Sequence, residues 1–257
     1  MKYGFIGCGN MGGAIAKALA QKTTDFAITD RSGKAKALGY PYTSAEDIAA
    51  NAERIFLGVK PHMMAGVLEN LKPILQEKKP LLITMAAGLT MEKIDAMAGG
   101  DFPVIRIMPN TPTAIGKGVI QYCANELVDA AVLADWLDDM APCGLVDALE
   151  ERLIDAASAL SGSGPAYAYI FLEALADGAV ACGIPRAKAY EYAAMTMAGA
   201  AEMYLQTKQH PGALKDAVCS PGGSTIAGVK ALEEGGFRAA VMNCVAATCN
   251  RNKELGK

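Results

Sequence analysis

The chain is 257 residues long, 52% hydrophobic and 20% charged, with a formal net charge of -3. That length fits one large domain or two modest ones, and the slightly acidic balance without a Lys/Arg cluster argues against nucleic acid as the main partner. No apolar run approaches the roughly 18 residues needed to cross a bilayer, so no membrane is expected, and the N-terminus enters a core strand with no room for a signal peptide.

The chain opens on an apolar run, Tyr3-Gly4-Phe5-Ile6, then Gly7-Cys8-Gly9-Asn10-Met11-Gly12, then Ala14-Ile15-Ala16-Lys17-Ala18-Leu19. This reads as a strand, a Gly-x-Gly-x-x-Gly turn and a helix, the way an α/β domain presents a helix N-terminus to a dinucleotide pyrophosphate. Gly7 allows the tight turn, Gly9 lets phosphates approach the backbone, and Gly12 lets the helix lie close on the strand. The glycines alone would be weak evidence; the flanking strand and helix strengthen it.

Short β-branched or aromatic-containing runs at 26–29, 55–59, 81–84 and 104–107 follow, each predicted as a buried parallel strand. Helices are predicted at 44–51, 61–76, 90–97 and around Trp136, with further strands at 118–123 and 143–146. The alternation implies a doubly wound parallel sheet of Rossmann type over residues 1–149. Asp30-Arg31-Ser32 closes the second strand. An acid there would hydrogen-bond the ribose of NADH, whereas Arg31 and Ser32 would hold the 2′-phosphate of NADPH. The signals conflict; the reading leans to NADPH, with Asp30 turned away to cap the next turn and NADH kept as the alternative. Val59-Lys60-Pro61-His62 and Met85-Ala86-Ala87-Gly88 lie at later strand ends, where such sheets bind ligands. His62 belongs to a helix start. Asn110, in Met108-Pro109-Asn110-Thr111-Pro112-Thr113, orients either a loop or the cofactor carboxamide.

From residue 150 onward, over 150–257, the pattern is all helical and rich in Ala, Met and Leu. Stretches such as 193–201 are apolar nearly all round and call for burial on most sides, so subunit association through this half is expected. The odd number of cysteines, seven and scattered, reads as reduced buried thiols of a cytoplasmic protein. Two histidines and no Cys-x-x-Cys argue against a metal site.

The usual general acids of carbonyl reduction are missing. Tyr204 and Lys208 have the spacing of the short-chain dehydrogenase pair, yet they fall in the helical half and are taken as a chance match. The lysine of β-hydroxyacid dehydrogenases, expected four residues after Gly164, is Ala168 here. A hydride donor without a strong proton donor suits an acceptor that arrives protonated, such as an iminium carbon, which alignment alone can activate. Ser220-Pro221-Gly222-Gly223-Ser224-Thr225 opens a helix predicted at 226–234. Its bare amides, hydroxyls and helix dipole make a nest for a carboxylate; a plain Pro-Gly turn with a Ser/Thr cap is the competing reading.

These stretches, with Ser161-Gly162-Ser163-Gly164-Pro165-Ala166-Tyr167 and His210-Pro211-Gly212, resemble the Δ1-pyrroline-5-carboxylate reductase family along the whole chain. The resemblance implies an N-terminal Rossmann domain and a C-terminal helical domain intertwined in a homodimer, with dimers assembling further into a decamer. It implies hydride transfer from the nicotinamide C4 to the imine carbon of 1-pyrroline-5-carboxylate, C5 in proline numbering, giving L-proline, the last step of proline synthesis. Thr225 would be the catalytic residue at the ring nitrogen. Ser220, Gly222, Gly223, Ser224 and Thr225 would bind the carboxylate. Ile6, Gly7, Gly9, Asn10, Met11, Gly12, Arg31, Ser32, Val59, Lys60, Pro61 and Ala87 would bind the cofactor. The chain departs from the family pattern at Ala45, where many members carry an Asn that contacts the adenosine ribose, and at Lys208, where some carry an acid. A hydroxyacid dehydrogenase and a catalytically silent nucleotide sensor are the other readings; the missing lysine counts against the first and the intact nest against the second.

Overall fold

The computed structural model describes residues 1–255. Seven strands, β1 Tyr3–Ile6, β2 Phe26–Thr29, β3 Arg54–Leu57, β4 Leu81–Thr84, β5 Val104–Met108, β6 Gly118–Ala124 and β7 Gly144–Ala148, form one sheet in the order β2-β1-β3-β4-β5-β6-β7. The helices among them are α1 Asn10–Leu19, α2 Ala45–Asn51, α3 Pro61–Lys78, α4 Met91–Ala98 and α5 Ala130–Met140. Six more follow: α6 Glu151–Ser161, α7 Gly164–Ala181, α8 Arg186–Thr207, α9 Pro211–Val218, α10 Ser224–Glu234 and α11 Phe237–Leu255.

Strands β1 to β5 pair in parallel, but β6 runs antiparallel to β5, with Ile107 opposite Tyr122. The sheet is therefore mostly, not wholly, parallel. The cause is the short 109–117 connection, since a parallel return needs a crossover of about a dozen residues or more. Strand β7, reached through α5, pairs parallel to β6.

Period-two alternation divides the core into two faces. Tyr3, Phe5, Phe26 and Phe56 pack with Ile15 and Leu19 of α1 and Trp136 of α5. Ile6, Ile55 and Leu57 pack on the other face with Ile48 of α2, Ile94 of α4, and Met64, Leu68, Leu71 and Leu75 of α3. The last four recur every three or four residues, the single stripe of an amphipathic helix, and each contributes about 1.5–3 kcal/mol on full burial. At the amino edge of the sheet Tyr3 Oη donates to Asp139 Oδ2 at 2.6 Å and accepts from Arg54 Nη1 at 2.7 Å. Burial, and then the bond to Asp139, hold this phenol well above its ordinary pKa.

The chain divides into two compact units: Met1–Pro165 together with the residues from Thr248 on, and Ala166–Ala247. In the second, the buried hydrophobic cluster is small, Ala176, Ala189 and Ala193, with Leu172 and Val180 packed on it. Ile170 is 68% exposed, Met195 69% and Met242 72%. All seven cysteines are free, but only Cys8 and Cys143 are buried and Cys182 is exposed, so the expectation of buried thiols fails for the rest. Four of those five, Cys182, Cys219, Cys244 and Cys249, fall within residues 150–257, Cys244 and Cys249 in α11 and the other two in the connections after α7 and α9.

Candidate functional site

In the Met1–Pro165 unit, the carboxyl ends of β1 to β4 gather the expected cofactor residues. After Ile6 the Gly7 and Cys8 amides both donate to Thr29 O, at 2.9 and 3.0 Å, so the turn is tied to the end of β2. Gly7 has φ +93°, and a Cβ there would sit 2.6 Å from Gly58 C and Val59 N; only glycine fits. At Gly9 a Cβ would meet nothing within 4 Å. That position faces open space, as a backbone meant for a ligand's close approach should. Gly12 lies against the turn, its Cβ position 3.1 Å from Gly7 O. Helix α1 begins at Asn10, with Gly9 as an N-cap that supplies no side-chain acceptor and no acid in the first turn. The amides of its first turn are thus left for an anion.

Two clefts meet at Gly9, Asn10 and Met11. One, of about 550 Å³, is lined by Gly9, Asn10, Asp30, Ser32, Leu38 and Thr111. The other, of about 440 Å³, is lined by Met11, Val59, Lys60, Pro61, Ala86 and Ala87. Strand β3 stops at Leu57, two residues before the predicted end, so Val59 lies past the strand and Lys60 is the N-cap of α3 with Pro61 and His62 in its first turn. A pair of cavities joined over an uncapped helix N-terminus matches a dinucleotide, two bases joined by a pyrophosphate, so the residues present fit such a group.

The Asp30 carboxylate turns back into its own loop, accepting from the Ser32 hydroxyl and, at 3.1 Å, from the Ala35 amide. Tyr42 Oη donates to Asp30 O at 2.8 Å. Ser32 spends its hydroxyl proton on Asp30, while Arg31 is exposed. The thiol of Cys8, inside the glycine turn, is pushed up to about 11 by burial and by the nearby Asp30, and stays protonated at neutral pH. Asn110 has both ends of its amide committed to protein: Nδ2 donates to Ser161 O at 2.9 Å and Oδ1 accepts from Val119 N at 2.9 Å. It orients the loop. Ala45 is the first residue of α2 and packs toward the core.

In the Ala166–Ala247 unit, α10 begins at Ser224, two residues earlier than expected, because Gly223 in extended backbone is its N-cap. Ser224 and Thr225 are therefore first-turn residues whose amides point out of the helix end. Gly222 sits at φ +69° and turns the chain into the cap, and the Ser220 hydroxyl packs against Gly223 where a side chain would stand. The Gly223 amide closes the turn onto Ser220 O at 3.0 Å, which spends one of the three amides expected in the nest. Ser220, Gly222, Ser224 and Thr225 are all exposed in the single chain. His210 caps α9, its Nδ1 accepting from Gly212 N at 3.0 Å. Lys208 ends α8 with φ +54°, its ammonium 5.8 Å from the Tyr204 ring centroid.

Sequence reasoning passed over Lys17, Leu38 and Thr111, which line the first cleft, and the partners of Arg106. A cation inside an otherwise apolar strand run was the available signal for Arg106.

Comparison with known proteins shows the family. A family model described as "Pyrroline-5-carboxylate reductase dimerisation" matches residues 151–255, and one described as "NADP oxidoreductase coenzyme F420-dependent" matches residues 2–88. The pyrroline-5-carboxylate reductase of Escherichia coli (strain K12) is 41% identical, over 100% of this chain and 98% of that protein. That of Glycine max is 39% identical, over 98% of this chain and 95% of its own. The Plasmodium falciparum pyrroline carboxylate reductase with NADP bound superposes with a TM-score of 0.91 at 35% identity, covering 100% of this chain and 98% of that one. The chain belongs to the pyrroline-5-carboxylate reductase family.

Proposed function

We propose that this chain reduces 1-pyrroline-5-carboxylate to L-proline with NADPH, residues 1–149 binding the cofactor and residues 150–257 binding the substrate and a second copy. The observation that carries the site assignment is the glycine-capped start of α10, with the Ser220 hydroxyl against Gly223 and the amides of Ser224 and Thr225 left for a carboxylate. Each hydrogen bond to that charge is worth about 1.5–3 kcal/mol, and the helix dipole adds to it. The Thr225 hydroxyl accepts from the protonated ring nitrogen and so fixes which atom faces the donor.

NADPH, when bound, supplies the hydride. The amides of Asn10, Met11 and Gly12 would hold its pyrophosphate, Val59, Lys60, Pro61 and Ala87 would flank the ribose and nicotinamide, and Arg31 and Ser32 would lie at the adenosine end. The inward turn of Asp30 supports NADPH over NADH, because its charge is spent on its own loop. The accepting carbon is C5 in the numbering of the proline product (C2 of the imine ring). As the new C–H bond forms, the C=N pair moves onto nitrogen and cancels its positive charge. No side-chain acid has to donate a proton, and alignment carries the rate.

The exposed apolar faces of the Ala166–Ala247 unit support a homodimer, and dimers of this kind could stack to a decamer. No helix among the described residues is long and apolar enough to cross a membrane, and seven unpaired thiols suit a reducing compartment such as the cytoplasm. Thr225→Ala tests the assignment. One hydrogen bond to a charged group predicts a roughly 10- to 100-fold fall in kcat with NADPH affinity unchanged; an unaltered kcat removes Thr225 from the reaction.

A further inference from the structure

Arg106 lies in the middle of β5 between Ile105 and Ile107 and is 1% exposed. Its Nη2 donates to Asp155 Oδ1 at 2.5 Å, and its Nη1 lies 3.5 Å from Glu151 Oε1, which also accepts from Met91 N at 2.7 Å. The guanidinium Nε has no partner. The guanidinium is buried while both carboxylates are partly exposed, and taking a charge out of water to form such a pair is a poor way to gain stability, because apolar side chains of the same volume do as well or better. What it does is fix α6, which carries both carboxylates, in one register on the sheet.

Asp155 holds a second connection. Its backbone O accepts from Asn252 Nδ2 at 3.0 Å. At the far end of α6, Ser161 O accepts from Asn110, and the Ser161 hydroxyl lies 3.1 Å from Gln121 Oε1. The chain leaves the sheet-containing unit after Pro165 and re-enters it at Thr248. Ser161 lies just before the exit and Asn252 just after the return, so both passages are tied to α6.

We propose that α6 is a positioning strut for the reaction, with Asp155 and Asn252 as positioning residues that pin the exit and the return of the chain serving the helical unit. The proposal rests on the reading that this unit supplies the carboxylate nest. Hydride transfer tolerates little misplacement, a shift of about 1 Å costing on the order of 100-fold. A slack tether should therefore slow the chemical step while leaving cofactor affinity alone.

The test is Asn252→Ala, a partly buried residue near the end of α11 whose loss spares the core. At saturating NADPH and imine, kcat is expected to fall about 5- to 50-fold, with a raised primary isotope effect from NADPH deuterated at the transferred hydrogen. The NADPH dissociation constant, from fluorescence titration, should stay within about 2-fold and the melting temperature within about 2 °C. Asn252→Gln, which keeps the donor, should recover part of the rate. Arg106→Lys, which keeps the charge but loses the fork, should give the same kinetic signature. An unchanged kcat in Asn252→Ala overturns the proposal, as does a joint loss of kcat, cofactor affinity and melting temperature. Thr225→Ala separates the two readings: a normal Thr225→Ala beside a slow Asn252→Ala removes the Thr225 hydroxyl from the reaction and leaves the strut standing on the nest amides, and a slow Thr225→Ala beside a normal Asn252→Ala sinks the strut.

Discussion

Gly9→Ala separates a glycine kept for the fold from one kept for a ligand. In the protein alone the new methyl meets nothing within 4 Å, and Gly9 has φ -78° and ψ -154°, a conformation alanine adopts freely. Stability should hold or rise by about 0.4–1 kcal/mol, since the unfolded chain loses freedom. The same methyl points into the space where a pyrophosphate must approach the α1 amides. Displacing one charge-assisted hydrogen bond costs about 1.5–3 kcal/mol, roughly 10- to 150-fold in the NADPH dissociation constant. Gly7→Ala is the contrast, with φ +93° and a methyl 2.6 Å from Gly58 C and Val59 N, so it should lower the melting temperature. Thermal melts and fluorescence titration with NADPH on the three proteins decide the matter. A Gly9→Ala protein that binds NADPH like the parent would refute the cradle assigned to the first turn of α1.

The uncovered apolar faces of the helical half make folding and association one equilibrium. A 100-fold dilution should then cost about 2.7 kcal/mol and lower the melting temperature by roughly 5–10 °C; a concentration-independent melt with a monomer in sedimentation would refute the dimer. Burial pushes the Cys143 thiol up to about 12 from its ordinary 9.0. Because the folded-state value is the higher one, its contribution is complete below pH 9 and is lost as pH rises from 9 towards 12. Cys143→Ala should flatten stability over that window in urea melts, and parallel curves for parent and variant would contradict it.

Residue patterning carries some of this architecture and not the rest. The apolar run Tyr3 to Ile6 and the stripe Met64, Leu68, Leu71 and Leu75 are local patterns, so element type was legible there. The direction of β6 was not, because an apolar run looks the same either way; only the short 109–117 connection encodes it. Likewise Asp30, Arg31 and Ser32 pose opposite cofactor signals in one dimension, and the turn that bends Asp30 onto Ala35 N exists only once the loop is built. The tie from Arg106 to Asp155 spans 49 positions, beyond any local spacing rule. At α10, the glycine N-cap moves the helix start by two residues and changes Ser224 and Thr225 from loop hydroxyls into first-turn donors.

The most direct measurement is a crystal structure of the protein with NADP+ and L-proline bound together. The carboxylate should lie within hydrogen-bond distance of the Ser224 and Thr225 amides, with ring carbon C5 about 3–3.5 Å from the nicotinamide C4. Proline bound away from residues 220–225, or with its ring out of reach of the nicotinamide, would contradict the account.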